Sequence, residues 1–432
     1  MSTPSGGLRS FWAALPTEGR WLLSTVAVQT LGRGLTLPFT IIYLHEVRDF
    51  RLGLSGTLLA VIAVVALAVT GPAGSLTDRY GARRVLLVGI TAMMVGNVVL
   101  AFATHPAVAA LAFVLIGINF GASWPAFNAL IAAVVTGELR QRYFGVNFAL
   151  VNLGIGVGGV VGGFYVDVDR PETFTFIFLA DAASMLVPLA LLLGPLRHLH
   201  GRAENPMGEA AGTPGTYLAI LKLPSVRWLT ALTFLATFVG YGQMEAGFPA
   251  FARQVSEVST RTIGFAFAVN TLVIVACQFW VLNRIQGHRR TRVMMLMGVV
   301  WAASWLLLGA TGLVPGGALA AVGVLMFHAV FASGETLLQP TVPAITNDLA
   351  PDHLRGRYNA ITAGAFQGGT IAGPVAAGLL LQHRLGSVFI VLMIGGCGAI
   401  AVLARLLERH ITPAVNGVDS PDVDTPEATV SP

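Results

Sequence analysis

The 432 residues are 55% hydrophobic and 11% charged, where ordinary soluble domains carry about 25% charged residues, and the mean hydropathy is +0.73. These values exclude a fold with a polar surface facing water on all sides. The net charge of +5 is spread as a topology signal rather than as a nucleic-acid patch, and two cysteines, Cys277 and Cys397, make no disulfide framework. Crossing the hydrocarbon core takes about 20 apolar residues, and twelve such spans are predicted: 20–45, 53–76, 85–104, 107–135, 143–166, 174–195, 227–252, 262–283, 293–312, 316–346, 358–382 and 386–407. Backbone groups in lipid must bond within their own segment, so each span is predicted to be a helix.

In chain order, residues 1–19 form a polar tail, and the first apolar segment is too long for a signal peptide, so it is expected to be retained. The first span carries Gln29 and Arg33, one turn apart on a shared face. The second ends in Gly74-Ser-Leu76-Thr-Asp78-Arg79-Tyr80-Gly81-Ala82-Arg83-Arg84. There Gly74 and Gly81 are expected to permit a short turn and close packing, and Asp78 to accept hydrogen bonds from a neighbouring helix N-terminus. Arg79, Arg83 and Arg84 make a basic cluster for which Glu138 and Asp348 are candidate partners. The fourth span holds Asn119, and its stretch Phe113-Val-Leu-Ile-Gly117 has no charge.

The fifth span holds Asn152 and the run Gly154-x-x-x-Gly158-Gly159-x-x-Gly162-Gly163. Its Gly154-x-Gly156-x-x-Gly159 mimics a dinucleotide fingerprint, but that fingerprint must follow a strand and this one lies inside an apolar helix. Asp181 is expected near the outer end of the sixth span, facing the scaffold. A polar linker at 197–226 contains Gly201, Pro206, Gly208, Gly212, Pro214 and Gly215. Glu245 falls toward the outer end of the seventh span, and Arg33, Asn119, Asn152, Asn270, Glu335 and Gln367 fall near mid-depth of the first, fourth, fifth, eighth, tenth and eleventh, by the rise of about 1.5 Å per residue. His328 and Glu335 are two turns apart on one face. Ionisable residues at such depth are costly and mark function; Glu335 is the expected main proton carrier, Glu245 the second, with Arg33 neutralising one of them or binding an anionic group. A buried Arg–Glu pair that only keeps register is the alternative, and His328 reads equally as a packing residue or a proton relay. The tail 411–432 is rich in Pro, Asp, Thr and Val and is expected to be disordered.

The chain repeats itself. Pro125 precedes Arg140-Gln-Arg142-Tyr143 by the spacing at which Pro340 precedes Arg355-Gly-Arg357-Tyr358, an offset of 215, and Arg20-Trp21 is echoed by Arg227-Trp228. Two six-helix halves, 20–196 and 227–410, joined by the linker 197–226, are predicted, enclosing a site near mid-membrane. With both termini in the cytoplasm, only Arg48, Arg51, Arg170, Arg253, Arg261 and Arg384 lie outside and Arg33 within a span, so the other basic residues satisfy the positive-inside rule.

The loop Gly74 to Arg84 resembles the signature loop of the major facilitator superfamily, Gly-x-Leu-x-Asp-Arg-x-Gly-x-Arg-Arg, with Ala82 where many members have a basic residue. The glycine run of the fifth span resembles the antiporter motif of drug:proton exporters, Gly-x-x-x-Gly-Pro-x-x-Gly-Gly, with Gly159 in place of proline. The eleventh span has Gly369-x-x-x-Gly373-Pro374-x-x-Ala377-Gly378, with its proline. The start of the fifth span is most similar to the branch of MdtH-like multidrug exporters. The resemblance implies an all-α membrane protein with twelve transmembrane helices in two pseudo-symmetric bundles. It further implies that Asp78 meets the start of the eleventh helix near Arg357 and Tyr358 as a conformational latch, and that the fifth and eleventh helices make the contact between halves. The function it implies is proton-coupled export of drugs or amphipathic small molecules by a monomer in a prokaryotic inner membrane. The helix 4 arginine usual in that group is missing here. Uptake or exchange of a polar metabolite, sugar or peptide is the alternative, and a sensor or scaffold of the same fold is the third reading.

The single lysine, Lys222, lies outside any Gly-x-x-x-x-Gly-Lys loop, so ATP is not expected to drive this chain. Cys-x-x-Cys, His-Glu-x-x-His and Gly-x-Ser-x-Gly are also missing. The expectation is therefore no enzyme, no cofactor and no metal, with protons, a small-molecule substrate and membrane lipid as the partners.

Overall fold

A computed structural model describes residues 8–135, 137–199, 214–351 and 354–418; within these, the side chains of residues 8, 9, 78, 124, 132, 137, 138, 140–142, 214–216, 279, 355 and 356 are not described. The described chain is helical: α1 (Leu8–Ala14), α2 (Thr17–Thr36), α3 (Thr40–Ile42) with a π-turn at Tyr43–Val47, α4 (Leu52–Tyr80), α5 (Ala82–Ala101), α6 (Pro106–Val134), α7 (Gly137–Tyr165), α8 (Pro171–Ser184), α9 (Leu186–Leu193), α10 (Pro214–Lys222), α11 (Pro224–Val239), α12 (Tyr241–Met244), α13 (Gly247–Gln254), α14 (Thr260–Ile285), α15 (Arg290–Thr311), α16 (Ala318–Leu349), α17 (Arg355–Gln382) and α18 (Gly386–Glu408). Among the described residues, ten spans are long and apolar enough to cross a membrane. Two predicted spans are absent from that set: in the first, the 20-residue α2 is made too polar by Glu18, Arg20, Gln29 and Arg33, and the seventh is divided into α11, α12 and α13. Pro38 has no N–H to continue the ladder, so α2 stops at Thr36 before α3 resumes. In the seventh, the break falls at Gly240, where a Cβ would run into the ring of Trp301.

The helices pack in two groups. In the first, α5 packs on α6, α2 on α7 and α8, and α4 on α6; in the second, α15 packs on α16 and α18, α14 on α16, and α11 on α17 and α18. Two seams join the groups, α4 against α17 and α7 against α14. The glycine runs therefore work differently from the expectation that the fifth and eleventh predicted spans meet across the halves. Each run serves two neighbours at once. Gly154, Gly158 and Gly162 lie against Thr30, Leu31, Gly34 and Phe39 of their own group, while Gly163 lies against Arg261 and Gly264 of α14. At the repeat offset, Gly369 and Gly373 lie against Thr237 and Gly242, and Gly378 against Gly53 and Gly56 of α4. The carbonyls of Gly159 and Pro374 sit at matching places, over Gly264 and Gly56. Small residues on both sides let backbones approach closely, which is what association without a hydrophobic driving force requires.

Gly81 alone separates α4 from α5, at φ 89°, a backbone region that favours glycine. Gly74 does not fit its expected role: it lies inside α4 and a Cβ there would meet nothing within 4 Å. The basic cluster also finds other partners than expected. Arg83 Nε donates to the Leu192 carbonyl at 2.7 Å, an end-of-helix oxygen that α9 leaves unused, and Arg79 lies over the Tyr80 ring at 5.2 Å. Asp348 is taken by Arg290 at 2.6 Å. The side chains of Asp78 and Glu138 lie outside those described, and with them the expected latch and one of its candidate partners.

Candidate functional site

The two helix interruptions turn polar groups into one space between the halves. A cavity of about 340 Å³ is bounded by α2, α4, α6 and α7 on one side and by α12, α14, α16 and α17 on the other. Arg33, Asn152, Glu245, Asn270, His328, Glu335 and Gln367 all line it, among apolar walls that include Leu59, Ile62, Phe120, Met244, Phe267 and Phe366. Gln29 and Asn119 do not reach this space. They line a separate cavity of about 260 Å³ inside the first group, where Asn119 Nδ2 donates to Ser123 Oγ at 3.0 Å.

Glu335 is 8% exposed. Its Oε1 accepts from the Tyr241 hydroxyl at 2.8 Å and its Oε2 from Asn270 Nδ2 at 3.4 Å. The Tyr241 oxygen in turn accepts from Gln339 Nε2, one turn beyond Glu335 on α16. Among the described residues no cation pairs with Glu335. Tyr241 is a residue the sequence reading missed, and the signal for it is its place just after the helix-breaking Gly240.

Arg33 and Glu245 form an ion pair across the halves at 2.5 Å, with side-chain exposures of 16% and 33%, and the guanidinium lies over the Phe120 ring at 5.3 Å. Glu245, just past α12, therefore sits level with Arg33 of the opposite group. His328 is fully buried, and neither ring nitrogen has a hydrogen-bond partner. The rings of Phe248, Phe267 and Phe327 surround it at 4.3, 4.9 and 5.2 Å, which is the setting of a packing residue in this conformation.

The cavity is closed on the side of Glu46. Arg253 Nε and Nη2 donate to Glu46 Oε1 and Oε2 at 2.9 and 2.6 Å, His45 Nε2 accepts from Gln254 at 2.8 Å, and Gly53 N–H donates to Gln382 Oε1 at 2.9 Å. Toward the Gly81 face, a further space of about 660 Å³ shares Ala66, Phe120, Tyr241, Phe366 and Gln367 with the central cavity and extends to Thr346 and Asn359. The arrangement is a central site shut from one face and open toward the other.

A bundle pair of this kind, joined on two glycine seams around a shared cavity whose apolar walls carry a few polar groups, defines a membrane transporter. The family model of the Major Facilitator Superfamily matches residues 22–334, and the chain belongs to that superfamily. It is an integral membrane protein, similar at 22% identity to the MFS-type transporter YdeE of Escherichia coli K12, over 86% of this chain and 91% of that one. It is 23% identical to a Na(+), Li(+), K(+)/H(+) antiporter of Planococcus maritimus, covering 86% and 90%, and 28% identical to the class C tetracycline resistance protein of Escherichia coli, covering 50% and 52%. Among solved structures, the nucleoside transporter NupG superposes with a TM-score of 0.73 at 13% identity, over 91% of this chain and 99% of that one. A POT family transporter in complex with 5-aminolevulinic acid gives 0.71 at 14%, over 93% and 97%. At these identities the structures share the fold alone.

Proposed function

We propose that this protein is a proton-coupled exporter of drugs or amphipathic small molecules that works by alternating access. The observation that carries the reading is Glu335, a buried carboxylate in the wall of a largely apolar cavity, held by two neutral donors and by no described cation. An intramembrane acid so placed is a functional group by default. Apolar walls admit varied ligands because few hydrogen bonds must be satisfied. The tetracycline resistance protein and the cation/proton antiporter among the relatives support export and proton coupling.

In this proposal α2 with α3, and α11 to α13, are the first and seventh of twelve crossings. The halves 20–196 and 227–410 rock as units about the seams, and the chain works as a monomer in the cytoplasmic membrane of a prokaryote, with both termini and the Gly81 face inside. The proton gradient is the driving force, and no cofactor takes part. A second reading has one observation in its favour. The Arg33–Glu245 pair, with Asn152, Asn270 and Gln367, gives the same cavity groups able to hold a zwitterionic or polar solute, which fits uptake or exchange of a polar metabolite.

Inverted membrane vesicles loaded with a fluorescent cationic dye test the first reading. An imposed pH gradient is expected to drive dye movement that a protonophore stops and that Glu335→Gln abolishes without loss of folded protein. Movement indifferent to the gradient would overturn it.

A further inference from the structure

One acid in the membrane stands outside the cavity. Asp181 lies midway along the 23-residue span Pro171–Leu193, not at its outer end as its sequence position suggested, and it is completely buried. Its Oδ2 accepts from Thr36 Oγ1 at 3.1 Å and from Asn97 Nδ2 at 3.0 Å, whereas Oδ1 accepts no hydrogen bond. Ser184 Oγ lies beside it but gives its proton to the Asp181 backbone carbonyl at 2.7 Å. Gly32 makes room for this acid, since a Cβ there would stand 2.7 Å from Oδ1.

The charged groups facing Asp181 are few. On α2, Arg33 stands between Gly32 and Thr36, which both lie against Asp181, yet its guanidinium is turned to Glu245. At this depth α5 presents the neutral Asn97, and its Arg83 and Arg84 belong to its first turn. The sequence of α9 holds no titratable residue, and Glu172 of α8 sits in that helix's first turn beside Arg170. An ionised carboxylate removed from water with neutral donors on one oxygen and none on the other is strongly disfavoured. A carboxylic acid is not, because Ser184 Oγ keeps lone pairs for a proton on Oδ1.

We propose that Asp181 is a second proton-binding site and that Arg33 is its switch. While Arg33 holds Glu245 of the opposite half, Asp181 keeps its proton. When the halves part at that level and Glu245 withdraws, Arg33 turns to Asp181, the carboxylate forms an ion pair within its own half, and the proton leaves to water in the opened cavity. The inter-half ion pair and the proton thus exchange for one another. Its use in transport rests on the proton-coupled reading, whereas the site itself rests on the contacts of α2, α5 and α8.

Infrared difference titration of the protonated-carboxyl band, on purified protein in lipid nanodiscs, tests this without a substrate. Asp181→Asn keeps an acceptor for Thr36 and Asn97, and it is expected to delete one titrating band that persists in Glu335→Gln. Glu245→Gln releases Arg33 and is expected to lower the midpoint of that band by about 1–3 on the pH scale, and Arg33→Gln to hold the group protonated to higher pH. The last two variants keep Asp181 in place, so they decide the matter even if the Asn variant fails to fold. A midpoint unmoved in both would overturn the proposal. If the band moves but vesicle transport ignores the pH gradient, the exporter reading falls and the site stands. If transport follows the gradient and the band stays still, only the site falls.

Discussion

At the residue scale, the chemistry of the cavity turns on which polar groups have partners. Tyr241→Phe removes the donor to Glu335 Oε1 and leaves that oxygen bare. A hydrogen bond to a charged group contributes about 1.5–3 kcal/mol, so gradient-driven transport is expected to fall roughly tenfold or more, read in the same vesicle assay at unchanged expression. His328 makes the opposite expectation. Its nitrogens have no partners and its ring packs among phenylalanines, so His328→Phe is expected to keep gradient-driven transport and to raise the melting temperature. A tenfold loss of transport there would restore it as a proton relay.

At the element scale, the glycine runs are close-approach surfaces, and their sensitivity to volume is set by what lies opposite. Gly158 faces the Leu31 carbonyl and Gly34, and Gly378 faces the Leu52 carbonyl and Gly53. Gly158→Leu is expected to destabilise the first group by about 1–3 kcal/mol, as overpacking does. Gly378→Leu, by contrast, acts on the seam with α4 and should trap the halves apart. Gly74→Ala, with open space around it, is expected to change stability by less than about 0.5 kcal/mol. Thermal unfolding in detergent separates the three. Equal losses at Gly74 and Gly158 would remove the packing account of the motif.

At the scale of the whole molecule, the closed face is held by the bidentate Arg253–Glu46 pair and its neighbours. An ion pair at this degree of exposure contributes on the order of 1 kcal/mol, enough to shift a two-state population several-fold. Arg253→Ala is expected to raise the population open toward the Glu46 face, seen as a longer spin-label distance across that face. The exchanged pair Arg253→Glu with Glu46→Arg should restore the closed distance. A distance distribution unchanged by Arg253→Ala would show that the face stays shut without this pair.

Much of this was legible in the sequence. Ten of the predicted spans returned as membrane-length helices because hydrophobic length is a local property, read from about 20 consecutive residues. The repeat at offset 215 returned as matched contacts of Gly159 and Pro374, because symmetry between halves leaves the same small residues at the same places. Five cavity residues placed near mid-depth or on a shared face, Arg33, Asn152, Asn270, Glu335 and Gln367, line one space, since depth follows from counting along a helix. What counting along single helices did not give is partnership and azimuth. Tyr241 on Glu335, Glu245 on Arg33 and Asp348 on Arg290 are pairings between segments far apart in the chain, and Asn119, counted to the same depth, lines a different space together with Gln29. The sequence by itself determined a membrane-spanning, two-fold repeated helical chain of the Major Facilitator Superfamily, because those features are written in local hydropathy and in a short loop. Only the tertiary structure decided which buried charges meet, which face is shut and which acid stands apart from the cavity, because these depend on how two helix groups rotate and pack against each other.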